Sequence, residues 1–185
     1  MVAAYENLTR DRRLKHVYNL SDFEQRAHKL LPKALAEYVF GGVEDNTTLA
    51  NNRRQFDDHT LLTRVLSDVS ARHTGHTLFG QIYTAPFGIA PVGVSALIAF
   101  NGDNVMASAA YKLGVPMILS GSSLTRLEEV KQHHPQVWFQ AYLPGQPDLQ
   151  DALIERVAAA GIDTLVITVD IPVWANRENN MRAGF

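Results

Sequence analysis

The chain contains no cysteine among its 185 residues. This absence excludes a disulfide framework, a thiolate nucleophile and thiolate metal sites. An excess of charge is also missing, since 17 basic and 19 acidic residues give a net charge of -2. Such a balance argues against a nucleic-acid-binding surface and against a polybasic membrane anchor. A small molecule is therefore the favoured partner.

Long apolar runs are absent as well. No window approaches the roughly 20 apolar residues of a membrane span. The first residues, MVAAYENLTRDRR, carry a charge at Glu6 and lack the apolar run of a secretory signal. We expect a cytoplasmic protein without a membrane segment. With 46% hydrophobic and 19% charged residues, the composition is that of a globular domain with a sizeable core.

The N-terminal segment, residues 1–60, has a polar, helical pattern. Ser21 followed by Glu24 three residues later matches a capping box, which predicts that a helix begins there. A second predicted helix ends at Gly41-Gly42, where glycine is favoured. A third is predicted from Asp45 to Phe56.

The segment 61–86 predicts a β-hairpin. Two short stretches of strand-forming residues flank a polar turn that contains Gly75. We expect this hairpin to cap the structure that follows it.

From residue 87 the pattern changes to alternating strands and helices. Buried-strand runs occur at 87–93, 116–121, 137–143 and 164–170, with stretches of helical periodicity between them. This alternation predicts an α/β fold with a parallel sheet, either doubly wound or the first half of a (β/α)8 TIM barrel. The strand spacing is close to the roughly 31 residues per unit of such a barrel, which favours the barrel. The stretch APVGVSA also lacks the GxGxxG spacing of a dinucleotide fold.

Polar residues, together with one conformationally permissive glycine, lie at the predicted carboxyl ends of the four strands. Functional atoms lie at these ends in such folds. These residues are Pro91-Val92-Gly93 after the first strand, Ser120 after the second, Gln140 and Tyr142 at the third, and Thr168 and Asp170 at the fourth, with Arg177 in the loop beyond. Alternatives remain for single residues: Ser120 and Thr168 are suited to helix capping, and Asp170 to a turn. A buried Gln140 amide must find hydrogen-bond partners. As a set, these residues favour a binding site.

The chemistry of this set suits a planar heterocycle with a donor–acceptor edge. Amide and hydroxyl groups supply neutral donors and acceptors, and Gly93 permits a close backbone approach. An arginine with tyrosine hydroxyls suits a carboxylate. A base is missing, since none of the seven histidines ends a predicted strand. His133-His134 are expected at the end of a surface helix, where positive charge suits the helix dipole.

Five ordered stretches resemble the FMN-dependent α-hydroxy acid oxidase and dehydrogenase family, which includes glycolate oxidase, lactate oxidase and mandelate dehydrogenase. The stretches are LPKALAEYVFGGVEDNTTLANNRRQF, PFGIAPVGVSAL, GVPMILSGSS, WFQAY and TVDIPVWANRENNMRAGF. The resemblance implies FMN as the cofactor and a small L-2-hydroxy acid as the substrate. It also implies a homo-oligomer for the complete protein.

The resemblance assigns roles to residues of this chain. It implies that the flavin contacts are Pro91, Val92, Gly93, Ser120, Gln140 and Thr168. It implies that Tyr38, Tyr142 and Arg177 bind the substrate, with Tyr142 beside its hydroxyl. Asp170 resembles the acid that pairs with the catalytic histidine, so Tyr142 and Asp170 are the expected catalytic residues.

The family's later residues, namely a flavin-contacting lysine, a catalytic histidine with an arginine, and the phosphate loops, have no counterpart here. We therefore expect the N-terminal half of an enzyme, with residues 87–185 forming half of the barrel. The alternative is a non-catalytic half-barrel or an assembly partner, and a weaker one is a different FMN- or phosphate-binding barrel. Small residues at Gly93 and Ser122, the latter where glycolate oxidase has tryptophan, imply a preference for a mandelate-like substrate.

Overall fold

The computed structural model describes residues 14–171 and 173–185. The first thirteen residues of the predicted N-terminal segment, and Pro172, lie outside the described residues. The chain divides into two compact units, Met1–Leu62 with Ala175–Phe185, and Thr63–Trp174. The predicted three-part division at residues 60 and 86 stays a prediction.

The described residues form eight α-helices, one 3-10 helix and five β-strands. In chain order these are α1 (Leu20–Leu30), α2 (Lys33–Phe40), α3 (Thr47–Arg54), the 3-10 helix (Gln55–Asp58), β1 (His76–Leu78), β2 (Gln81–Tyr83), α4 (Ser95–Ile98), α5 (Gly102–Leu113), β3 (Ile118–Leu119), α6 (Leu127–His133), β4 (Trp138–Ala141), α7 (Pro147–Ala159), β5 (Leu165–Ile167) and α8 (Glu178–Ala183). None of these helices is long and apolar enough to cross a membrane.

Helix α1 begins with a capping box, but not the predicted one. The Asn19 side chain accepts a hydrogen bond from the Asp22 backbone N–H, and the Asp22 carboxylate accepts one from the Asn19 N–H. The Asp22 carboxylate also accepts the Tyr18 N–H over 2.6 Å. Ser21 lies inside the helix, where its hydroxyl accepts from Arg53 instead. The prediction of Ser21 with Glu24 was wrong because an overlapping pattern, Asn19 with Asp22, begins two residues earlier and caps the helix instead.

Helices α2 and α8 pack against each other in the first unit. The loop after α2 is joined to the chain before α8 by a hydrogen bond from Glu44 N to Asn176 O. An added Cβ at Gly41 would lie 2.4 Å from Glu37 O and 3.0 Å from the Asn179 Cβ. Glycine is therefore needed here for close packing.

Strands β1 and β2 form an antiparallel hairpin, with Leu78 opposite Gln81. Its two-residue turn is Phe79-Gly80, and both residues have positive φ angles, 51° and 77°. Such a turn matches the twist of a hairpin. The predicted turn around Gly75 was wrong, and the described stretch from 61 to 75 contains no strand.

The parallel sheet has the order β3-β4-β5, and Ile89 adds a single parallel bridge to Met117. The strands therefore follow one another in sequence without the order reversal of a doubly wound sheet. This is the arrangement of consecutive units in a (β/α)8 barrel. The strands are shorter than predicted, because the chain leaves the ladder where Pro91, which has no N–H to donate, and the polar residues begin.

The core lies between the parallel sheet and its helices. Its fully covered members include Ala107 and Ala110 of α5 and Val130 of α6, which are 0% exposed. His134 is also buried, at 2% exposed, with its Nε2 3.1 Å from Val115 O. The expectation that it lies on a surface helix was wrong. This packing fixes the strands whose carboxyl ends carry the polar set.

Candidate functional site

Gln140 connects the carboxyl ends of three neighbouring strands. Its Oε1 accepts hydrogen bonds from the Ser120 hydroxyl (3.3 Å) and from the Gly121 N–H (3.0 Å). Its Nε2 donates to Thr168 Oγ1 over 2.8 Å. Gln140 is 1% exposed and Ser120 is 4% exposed. We name Ser120, Gln140 and Thr168 the amide cluster.

The Gly93 loop lies beside the amide cluster. Val94 N donates to Ser122 O over 3.0 Å. An added Cβ at Gly93 would lie 3.3 Å from the Ser122 Cβ and 3.8 Å from Ser120 Oγ. Val94 has a φ of 47°, which is costly for a β-branched residue. Strain of this kind is found where a surrounding structure holds a functional loop.

The amide cluster keeps two unused donors. Both Gln140 Oε1 lone pairs are occupied, and one of its two amide hydrogens is directed to Thr168. The second amide hydrogen and the hydroxyl hydrogen of Thr168 have no partner among the described residues. A ligand with acceptor atoms along a flat edge satisfies both groups.

Pro91 and Val92 precede Gly93 and are exposed, Val92 at 39%. Tyr142, after β4, is 50% exposed, and Asp170, beyond β5, is also exposed. Within the described part of the chain, the side chains of Tyr142 and Asp170 make no hydrogen bond or ion pair. Both residues lie after the ends of their strands, whereas the sequence predicted them among the last residues within those strands, and neither is joined to the amide cluster.

Tyr38 and Arg177 lie together in the first unit. The Arg177 guanidinium carbon is 5.4 Å from the centroid of the Tyr38 ring. Phe185 stacks on the same ring, with centroids 4.6 Å apart and an interplanar angle of 18°. The sequence prediction included Tyr38 and Arg177 but missed Phe185, because no periodicity or motif marks an aromatic residue 147 positions away. Arg177 and the Tyr38 hydroxyl suit a carboxylate.

No group of three or more histidine, aspartate or glutamate side chains that could hold a metal ion occurs in residues 14–171 and 173–185. The donors of the amide cluster and of the Gly93 loop are instead hydroxyl, amide and backbone groups. They suit an organic ligand with hydrogen-bonding edges.

The sequence model of a family described as FMN-dependent dehydrogenase matches residues 27–185. A putative L-lactate dehydrogenase of Mycobacterium tuberculosis is 36% identical over 178 residues, covering 95% of this chain and 43% of the relative. An L-lactate dehydrogenase of Caulobacter sp. strain K31 is 38% identical over 169 residues, covering 91% and 44%. The chain thus spans less than half the length of these relatives.

Solved structures give the same result. A soluble mutant of the membrane-associated (S)-mandelate dehydrogenase of Pseudomonas putida superposes with a TM-score of 0.86 and 30% identity, over 92% of this chain and 49% of that one. A mandelate oxidase gives a TM-score of 0.85 and 31% identity, over 90% and 48%. The fold is therefore the first half of the (β/α)8 barrel predicted from the sequence.

The chain belongs to the FMN-dependent dehydrogenase family, the α-hydroxy acid oxidising enzymes that the sequence resembles. FMN is the cofactor of this family, and one mandelate oxidase structure contains an FMN adduct. The amide cluster fits this cofactor, because its two free donors match acceptor atoms on the edge of the isoalloxazine ring. A Cβ at Gly93 would lie 3.3 Å from the Ser122 Cβ, so glycine keeps this side of the loop free of a side chain.

Proposed function

We propose that the protein uses FMN to oxidise an L-2-hydroxy acid to the 2-oxo acid, with these residues forming one half of the catalytic barrel. When bound, FMN accepts the two electrons and the α-hydrogen as a hydride. The substrate hydroxyl gives up its proton to a base.

The amide cluster is the observation that carries this proposal. Three strands deliver one hydroxyl, one amide and another hydroxyl to a continuous hydrogen-bonded chain, and the strained Gly93 loop lies beside it. If the amide cluster only stabilised the fold, the Gln140 amide and the Thr168 hydroxyl would not need to keep unused donors. A flavin edge uses both of them.

The substrate residues act through charge and hydrogen bonding. Arg177 supplies a guanidinium and Tyr38 a hydroxyl for the substrate carboxylate. Tyr142 supplies a hydroxyl beside the reacting carbon. Asp170 orients the histidine base and stabilises its protonated form. These four assignments come from the family resemblance. Tyr142 and Asp170 follow strands, Arg177 precedes α8, and Tyr38 lies within α2.

The substrate is proposed to be a small or mandelate-like 2-hydroxy acid, since relatives are named as lactate and mandelate enzymes. A cytoplasmic location and a homo-oligomer are part of the same proposal. The location is supported by the even charge balance and the lack of a long apolar run.

Titration of the complete, flavin-free protein, in which residues 1–185 form one half of the barrel, with FMN tests the proposal. The 185-residue chain alone, without the base and the phosphate loops, is expected to be inactive. We expect stoichiometric quenching of FMN fluorescence, followed by anaerobic bleaching of the visible flavin absorption on addition of L-lactate or (S)-mandelate. Binding without bleaching by any 2-hydroxy acid would favour the non-catalytic assembly partner. A protein that binds no FMN would overturn the proposed function.

A further inference from the structure

Asp103 is the single buried carboxylate in the described part of the chain, at 1% exposed. It is the second residue of α5, where the helix dipole favours a negative charge. An exposed aspartate at this position benefits from the same dipole, so the dipole does not explain the burial. A buried carboxylate is costly unless hydrogen bonds satisfy it.

Ser123 satisfies this carboxylate. Its hydroxyl has two acceptors within reach, Asp103 Oδ2 at 2.7 Å and Thr125 O at 3.1 Å, and the shorter, charge-assisted hydrogen bond to Asp103 is favoured. The same Oγ accepts the Thr125 N–H over 2.9 Å, and Ser123 N donates to Ser120 O over 3.0 Å. The Asp103 carboxylate therefore fastens the first turn of α5 to the loop that follows β3.

This loop connects both parts of the proposed flavin site. Ser122, next to Ser123, donates its N–H to Ser120 Oγ over 3.1 Å and accepts the Val94 N–H at its carbonyl. Its Cβ also lies beside Gly93. A shift of Ser123 therefore moves Ser122 relative to both the amide cluster and the Gly93 loop.

Helix α5 is itself packed against the segment that follows Gly93. An added Cβ at Gly102 would lie 3.0 Å from Ser95 Oγ and 3.1 Å from Ser95 O. Asp103, the next residue, is thus held close to the segment that follows Gly93. Its carboxylate is bonded through Ser123 to the loop that follows Ser120.

We propose that Asp103 is a positioning residue for FMN binding. Through Ser123, its carboxylate holds the loop 121–123 in register with the Gly93 loop and the amide cluster. The inference rests on the proposed FMN function and adds a residue that touches neither the flavin nor the substrate. Its loss is expected to weaken FMN binding because the ring then meets two loops that are no longer fixed relative to each other.

The test measures the FMN dissociation constant of the complete, flavin-free protein by fluorescence quenching in four variants. They are Asp103→Ala, Ser123→Ala, the double variant, and Ser123→Thr. Each alanine variant is expected to raise the Kd at least about tenfold, as one charge-assisted hydrogen bond is lost. The double variant should be no weaker than the weaker single variant, because both residues act through one bond. Ser123→Thr keeps the hydroxyl and should restore a Kd near that of the parent.

Asp148→Ala is the matched control. Asp148 is the second residue of α7, as Asp103 is of α5, but it is exposed. Its replacement removes the same favourable dipole interaction without a buried hydrogen bond. It should leave the FMN Kd within about twofold of the parent value, whereas a general effect of helix stability would raise the Kd in both variants.

The outcomes separate this inference from the proposed function. A parent protein that binds no FMN overturns both. A parent that binds FMN, with Asp103→Ala and Ser123→Ala at the parental Kd, overturns the role of Asp103 alone, even if their melting temperatures fall. If Asp103→Ala does not fold, the Ser123 variants decide: the Kd must rise in Ser123→Ala and recover in Ser123→Thr, and any other result overturns the inference.

Discussion

The guanidinium of Arg177 lies over the ring of Tyr38, with its central carbon 5.4 Å from the ring centroid. The ring carries Phe185 in a stacked arrangement, so the arginine and the tyrosine form one oriented group. A cation held over an aromatic face gains about 0.5–1 kcal/mol when exposed. The orientation of the guanidinium is therefore partly fixed before a ligand arrives.

Arg177→Lys should weaken substrate binding more than flavin binding. Lysine keeps the positive charge but loses the bidentate fork that matches a carboxylate. We expect the KM for the hydroxy acid to rise about tenfold, and the FMN Kd to change less than about twofold. Arg182→Lys in α8, the helix that begins directly after Arg177, is the control and should leave both values unchanged, because Arg182 pairs with Glu178. An equal loss of flavin and substrate binding would instead assign Arg177 to the fold.

Gln140→Leu should lower both stability and FMN affinity. Leucine fills a similar volume but leaves the Gly121 N–H and the two cluster hydroxyls without their partner. We expect the free energy of unfolding to fall by about 1–3 kcal/mol, measured by urea denaturation. Gln136→Leu is the control, because the Gln136 amide bonds only to Gln81 at the surface. Unchanged FMN affinity in Gln140→Leu would remove the amide cluster from the flavin site.

Ser122→Trp should shift the substrate preference towards small acids. The Ser122 Cβ lies 3.3 Å from the place of a Cβ on Gly93, so a bulky ring at 122 narrows the space beside Gly93. Changes of this size in a pocket shift discrimination by roughly 1–3 kcal/mol. The measurement is the ratio of kcat/KM for mandelate to that for glycolate. Leu124→Trp, at a 60% exposed position of the same loop, is the control and should leave the ratio unchanged. If Ser122→Trp also leaves the ratio unchanged, Ser122 does not shape the substrate pocket.

The capping box of α1 should make stability pH-dependent. Hydrogen bonds from the Tyr18 and Asn19 backbone N–H groups lower the pKa of Asp22 below its usual 3.8. Because the folded pKa is depressed, the carboxylate stabilises the folded state above pH 3.8, and this contribution is lost as pH falls through the folded pKa.

Asp22→Ala should therefore melt at a lower temperature than the parent at pH 7, and the difference should shrink in strong acid. Glu24→Ala, at an exposed position of the same helix, is the control. A melting difference for Asp22→Ala that stays constant down to pH 2 would show that helix propensity, not the ionised cap, causes it.

Several site residues could be predicted because parallel strands place their carboxyl ends side by side. This rule brought Ser120, Gln140 and Thr168 to one edge, and they do bond to one another. The same rule placed Tyr142 and Asp170 at that edge but could not decide whether they touch a neighbour.

Other features depend on local competition or on distant contacts that leave no pattern. The hairpin turn uses Phe79 in a left-handed conformation, a choice that no turn statistics favour for phenylalanine. The Asp103–Ser123 hydrogen bond joins residues 20 positions apart. In the sequence, Asp103 has the pattern of an ordinary polar residue at the start of a helix. Burial of His134 follows from packing against Val115 and Tyr111, and not from its own helix.

The contact between the Gly42 loop and helix α8 also affects the order in which parts of the protein can fold during translation. Asn179 bonds to Gly42 O and to Asn46 Oδ1 across 137 and 133 residues of chain. At about 5–20 residues per second, about 7–27 seconds of translation separate the two partners. The unit Thr63–Trp174 is complete within that interval. The N-terminal helices are therefore made first, but they can form this packing only after the βα units have been synthesised.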